Sequence, residues 1–260
     1  MSLIHPSAVV EDGAILGTNV SVGPFAYIGS KVKIGDNTTV ASHAVIEGKT
    51  TIGKSNRIFS HSAVGTIPQD LKFDGEDVEL IIGDNNTIRE FTLLNPGTKG
   101  GGSITKIGNG NLLMGYVHLG HDVILGDHCI LANGATLAGH VELGDHVVIG
   151  GLTPIHQFVH IGDYAMIGGA SALSQDIPPF CLAEGNRAVL RGLNLTGMRR
   201  SMEREEINAL KGAYRELFEE GNPLQDVAQS LLETTTSSKV KILCEFVKTS
   251  KRGIPFKRTK

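Results

Sequence analysis

Three histidines, an aspartate, a glutamine and a glycine in the second half of this chain are separated by numbers that would bring them together on a repeating structure. Gly139 comes eighteen residues after His121, and Gln157 eighteen after Gly139. His140 stands in the same relation to Asp122, and His156 follows Ala138, which follows Gly120. If eighteen residues make one coil of a solenoid, His121, Asp122, Gly139, His140, His156 and Gln157 share one strip of its surface, about 10 Å high at about 4.8 Å per coil. Such a strip suits base-assisted acyl transfer. A neutral imidazole, with an ordinary pKa of about 6.5, can take a proton from a hydroxyl. A carboxylate beside it fixes the tautomer and stabilises the imidazolium that forms. A glycine lets a backbone N–H approach a developing oxyanion, a contact worth about 10²–10³ in rate. His121, Asp122 and Gly139 fit these roles in that order.

The coil is read from a shorter period. Aliphatic residues recur at every sixth position from Ile4 to Val64, again at Ile82, Ile88 and Leu94, and from Ile107 to Leu173, 26 hexads in all. A smaller residue precedes the aliphatic by two places, as in Val20, Ala26, Val32, Thr38, Ala44 and Thr50. No helix has this period. Alternate residues of a strand share a face, and a hexapeptide repeat marks a parallel β-helix. Three hexads per coil predict eight to nine coils. Gly, Asn and Asp recur where corners belong, as in Gly35-Asp36-Asn37, because they tolerate cramped or left-handed backbone best.

Two stretches interrupt the register, residues 66–81 and 95–106. The first holds Pro68, Asp70, Lys72 and Asp74, and the second is glycine-rich. Insertions in a solenoid map to loops, and loops on a rigid frame often carry function. After Leu173 the pattern ends. An irregular stretch from 181 leads into amphipathic sequence that predicts helices over Glu203–Glu220, Leu224–Leu232 and Lys239–Thr249. The expected fold is an all-β solenoid over residues 1–190 with an α-helical domain over 191–260. So thin a prism buries little per coil and needs its ends covered, which favours a homo-oligomer, most simply threefold.

Composition narrows the function classes. Net charge is −3, divided into −9 over residues 1–186 and +6 over 187–260, so the basic end could attract an acidic partner. Cys129, Cys181 and Cys244 show no metal or disulfide spacing, which suits a reducing compartment. The start, MSLIHPSAVVEDG, lacks a basic-then-apolar leader, and no run approaches eighteen apolar residues, so a cytoplasmic protein without membrane insertion is expected. Nothing points to nucleic acid. Clustered histidines could also serve zinc. Hexapeptide-repeat carbonic anhydrases use a His-x4-His pair, which this chain lacks, and no metal or cofactor is expected. A CoA-dependent transferase, or a scaffold or ice-binding solenoid, would share the repeat; the latter needs a flat, regular face, which the histidine strip and loops spoil.

The segment YVHLGHDVILGDHCILANGATLAGHVELGD, the following GGLTPIHQFVHIGDYAMIGGASALSQDIPP, PQDLK at 68–72 and GLNLTGMRR at 192–200 closely resemble the acyl-ACP:UDP-N-acetylglucosamine O-acyltransferase family of lipid A synthesis. The similarity spans essentially the whole chain. It implies a left-handed β-helix and a homotrimer with its active site in the cleft between neighbouring prisms. It also implies transfer of a β-hydroxyacyl chain from acyl carrier protein to the glucosamine 3-position, with His121 as general base, Asp122 orienting it and the Gly139 amide holding the oxyanion. By the same resemblance Asp70, Lys72, His118, His140, His156, Gln157, Asn194 and Arg200 bind sugar, nucleotide or pantetheine, and Gly169 gauges acyl length. The acidic carrier would account for the basic end. A 3-amino sugar nucleotide is the alternative acceptor.

Overall fold

The computed structural model describes residues 3–256. Lys257, Arg258 and Lys260 of the basic end lie outside the described residues.

Strands of two to four residues, separated by tight corners, wind into a three-sided prism whose faces are three parallel sheets. One face runs from Leu3–Ile4 to Met166–Ile167, and the other two are eight-stranded. Each strand pairs with the one eighteen residues on, as in Val22↔Val40 and Leu125↔Leu143. The loops lengthen two coils, so Ile58 pairs with Ile88 and Ile88 with Leu113.

The interior follows the hexad. Ile28, Ile46, Ile88, Leu119 and Leu137 are fully buried, and so are the smaller residues two places earlier, Ala26, Ala44 and Val117 among them. Where that smaller residue is an asparagine, its side-chain oxygen accepts along the axis. Asn56 Oδ1 accepts from Asn86 N and Asn86 Oδ1 from Asn111 N, both at 2.8 Å. The first coil departs from the expectation. Ile4 remains 45% exposed, because no coil lies beneath it.

Both loops end earlier than the register predicts. Strands begin at Glu79 and Ile104 and run to Ile82 and Ile107. Leu80 and Thr105 take the inward small-residue place before the aliphatic, stacking on Thr50, and this draws the preceding residues into the ladder.

The corners hold more than Gly, Asn and Asp. Phe25, His43, His61, Phe91 and Tyr116 all have left-handed backbone, and their rings stack in a column with centroids 5.0–5.1 Å apart. A left-handed residue costs about 1–2 kcal/mol, while a ring pair returns about 0.5–1.5 kcal/mol. Continuous stacking therefore offsets part of the strain.

The stretch after 180 is more regular than expected. Cys181–Glu184 continues one face and pairs antiparallel with Val189–Leu193. Four helices follow: α1 (Leu195–Met198), α2 (Arg204–Phe218), α3 (Leu224–Thr234) and α4 (Ser238–Thr249). Leu210, Leu217, Ala228, Leu243 and Val247 are among their buried apolar positions. The chain beyond α4 returns to the last coil, where buried Asp176 accepts from Ser250 Oγ at 2.7 Å, Arg252 N at 3.2 Å and His160 N at 2.9 Å.

Candidate active site

The ladder register His118↔Thr136↔Pro154 fixes the strip. At the next corner Asp122, His140 and Phe158 are successive left-handed residues, with φ of 60°, 61° and 64°. The His121 ring lies against Gly139, since a Cβ added there would stand 2.6 Å from Nε2 and 2.9 Å from Nδ1. The strip therefore forms as the arithmetic requires, with the imidazole facing outward and 18% exposed.

His121 Nδ1 is 2.8 Å from Asp122 Oδ2. An ionised carboxylate only accepts, so Nδ1 carries the ring proton and Nε2 keeps its lone pair. Asp122 has a 1% exposed side chain and is held from a direction that sequence spacing does not reveal. Thr98, in the second loop, donates N–H to Oδ1 at 2.9 Å and Oγ–H to Oδ2 at 2.6 Å. The Asp122 N–H donates to Thr105 Oγ1 at 2.8 Å. His140 meets His121 edge to face, with centroids 4.9 Å apart, and stacks on Phe158 at 4.3 Å. Its Nδ1 is 3.8 Å from Asp122 Oδ2, too far for a hydrogen bond. Burial lowers the His140 pKa, with the Asp122 charge opposing.

The Gly139 N–H donates to no protein acceptor among the described residues, and is free for a ligand oxygen. The donor atoms of His121, Asp122 and His140 lie within 4.8 Å of one another, the one such group of three among the described residues. Both Asp122 oxygens already accept from Thr98 and His121, which fixes the orientation of the imidazole.

The remaining expected residues lie at several places around the prism. Asp70 and Lys72 are on the first loop, with Asp70 Oδ1 accepting from Lys72 N at 3.0 Å. Both line a groove of about 1190 Å³ together with His140, Phe158, Lys99 and Arg252. His118 lies on the adjoining face, partly buried, with Nδ1 donating to Leu93 O at 3.1 Å, and burial lowers its pKa. His156 and Gln157 are exposed on the strip, and the His156 ring donates to the Gln157 carbonyl at 3.1 Å. Gly169 is one corner away, stacked on Gly151. Asn194 is buried and caps α1, accepting from Gly197 N at 3.0 Å and donating to Tyr164 O at 2.8 Å. Tyr164 belongs to the His128–His146–Tyr164 ring column on the third corner. Arg200 follows α1, exposed.

Thr98, Phe158, Lys251 and Arg252 were not expected at the site. Phe158 was legible, being eighteen residues beyond His140. The others arrive by loop and chain return, which carry no period.

The model of UDP-N-acetylglucosamine O-acyltransferase domain 2 matches residues 176–255, and that of the bacterial transferase hexapeptide matches 13–48 and 104–139. An acyl-[acyl-carrier-protein]–UDP-N-acetylglucosamine O-acyltransferase from Sulfurovum is 83% identical over 99% of both chains. One from Aliarcobacter butzleri is 68% identical over 99% of this chain and 100% of its own. The chain belongs to this acyltransferase family. A solved UDP-N-acetylglucosamine acyltransferase from Campylobacter jejuni superposes with a TM-score of 0.94 at 52% identity, covering 98% of this chain and 100% of its own. The prism is accordingly the left-handed parallel β-helix of that family, closed by its helical end.

Proposed function

We propose that the protein transfers a β-hydroxyacyl chain from acyl carrier protein to the glucosamine 3-hydroxyl of UDP-N-acetylglucosamine, the first step of lipid A biosynthesis. The observation that carries this reading is the His121–Asp122 pair set against the unpartnered Gly139 amide, in a chain whose relatives bear that activity in their names.

His121 Nε2 takes the proton of the sugar hydroxyl as its oxygen attacks the thioester carbonyl carbon. Asp122 stabilises the imidazolium, and the Gly139 N–H receives the negative charge on the tetrahedral oxygen. Collapse of the intermediate breaks the C–S bond, and the imidazolium returns the proton to the departing pantetheine thiolate. Asp70 and Lys72 bind the sugar nucleotide from the groove wall, with His140, neutral through its lowered pKa, as a hydrogen-bonding partner. His118 binds from the adjoining face and His156 and Gln157 along the strip, and Gly169 leaves room for the acyl chain.

Asn194 and Arg200 follow the third corner, so a neighbouring copy brings them to the strip most directly. We take the functional unit to be a cytoplasmic homotrimer whose prisms meet along the exposed apolar corner of Phe25, Phe91, Tyr116 and Leu152. No helix among the described residues is long and apolar enough to cross a membrane.

His121→Ala is the direct test. Turnover with acyl carrier protein thioester falls about 10²–10⁴-fold, the range of a lost general base, while thermal unfolding is unchanged. Near-normal turnover refutes the assignment, and a preference for CoA thioesters over carrier-protein thioesters refutes the donor.

A further inference from the structure

The base depends on a residue that lies on neither the strip nor the repeat. Thr98 donates to both oxygens of Asp122, at 2.9 and 2.6 Å, and its hydroxyl shares Oδ2 with His121 Nδ1. Turning the carboxylate would break all three bonds. The second loop is shaped around this contact. Gly101 N and Ser103 N both donate to Thr98 O, at 3.0 and 2.8 Å. Gly101 passes so close over Asp122 that an added Cβ would overlap the carboxylate, whereas one at neighbouring Gly100 would meet nothing within 4 Å. The second loop also fastens the first. Lys99 N donates to Glu76 Oε1 at 3.2 Å, and Gly97 N to Glu79 O at 3.2 Å. The groove wall that carries Asp70 and Lys72 and the carboxylate behind the base are thus joined through hydrogen bonds.

We propose that Thr98 is a positioning residue for the transfer reaction, clasping Asp122 so that its Oδ2 faces His121 and its charge is shared. This rests on the reading of His121 as base. Without the Thr98 hydroxyl the carboxylate loses one donor, concentrates its charge toward the imidazole and gains freedom to rotate. The imidazolium is then held more tightly when the carboxylate faces it, and the base is misdirected when it does not. Both lower the rate near neutral pH, and the first raises the pH at which the base becomes available.

The experiment compares kcat and the acid limb of the pH–rate profile in substituted full-length enzymes. Thr98→Val keeps the shape and removes the hydroxyl. It lowers kcat about 10–100-fold, as expected for one hydrogen bond to a charged group, with KM for the sugar nucleotide within about twofold. The acid limb moves up by roughly half a pH unit or more. Thr98→Ser restores both. Gly101→Ala, pressing on the same carboxylate, displaces the acid limb, and Gly100→Ala leaves it in place. In a His121→Ala background, Thr98→Val adds no further loss.

Wild-type kcat and acid limb in Thr98→Val, or a Thr98→Ser enzyme as impaired as Thr98→Val, would overturn the proposal while leaving the His121 assignment intact. Full activity in His121→Ala alone would remove the assignment beneath it. Should Thr98→Val not fold, Thr98→Ser and the two glycine variants decide by the same criterion, and an unshifted acid limb in Gly101→Ala counts against the clasp.

Discussion

Gly139→Ala isolates the packing on which the strip depends. The added Cβ would stand 2.6 Å from His121 Nε2, whereas ordinary contact begins near 3.4 Å, so the ring must withdraw. That displacement of about 1 Å corresponds to about 10²-fold in rate for a reacting group. It also strains the 2.8 Å bond from Nδ1 to Asp122. The backbone has no comparable objection. Gly139 is not one of the left-handed residues, and at a compatible position Gly→Ala changes stability by only about 0.4–1 kcal/mol, usually upward. Turnover should therefore fall about 100-fold while the melting temperature stays within a few degrees. The assay is steady-state transfer from acyl carrier protein thioester to the sugar nucleotide, paired with thermal unfolding of the same preparation. Turnover within threefold of the parent enzyme at unchanged stability would show that the ring is not seated on Gly139, and the account of the site would fail with it.

Acid should weaken the fold through the buried histidines. Burial holds folded His118 and His140 below the 6.5 of the free side chain. As pH falls through 6.5 the unfolded chain takes up protons that the folded one refuses, so stability drops from there until the folded groups titrate, and it is indifferent to them above. Urea midpoints at pH 7.5 and 5.5 should differ in that direction, and His118→Gln should shrink the difference; a midpoint that rises on acidification contradicts the burial argument. The exposed corner is tested by Tyr116→Glu combined with Leu152→Glu, which should convert the proposed trimer to slower-transferring monomers by sedimentation. Retention of the trimer would show that the prisms meet elsewhere.

The sequence and the structure agree most closely where a period governs. Each inward residue of a hexad needs the same interior, and the ladder permits no slip without turning the buried set outward. That is why His121, Gly139 and Gln157 could be aligned by subtraction, and why Phe158 could have been found beneath the same rule. The first coil breaks the rule for an equally physical reason, since Ile4 has no lower neighbour to cover it. The Phe and Tyr that extend the histidine columns at the corners escaped notice because single-residue preferences disfavour left-handed Phe and Tyr, and only stacking along the column offsets part of the cost.

What periodicity cannot supply is whatever reaches the strip from outside the repeat. Thr98 meets Asp122 because a glycine-rich loop folds back on itself, and Lys251 and Arg252 reach the groove because Asp176 fastens the returning chain beyond α4. The division has a functional consequence. A rigid solenoid sets the spacing between His121, Asp122 and the Gly139 amide and changes little from coil to coil. The exposed positions of the loops and of the returning chain can be remodelled without disturbing one hexad. Substitutions of the exposed groove residues Lys99 and Lys251 should therefore tune rate and acceptor binding at little cost to stability, while the same number of changes in the inward positions of the strip coils should unfold the protein before altering its chemistry.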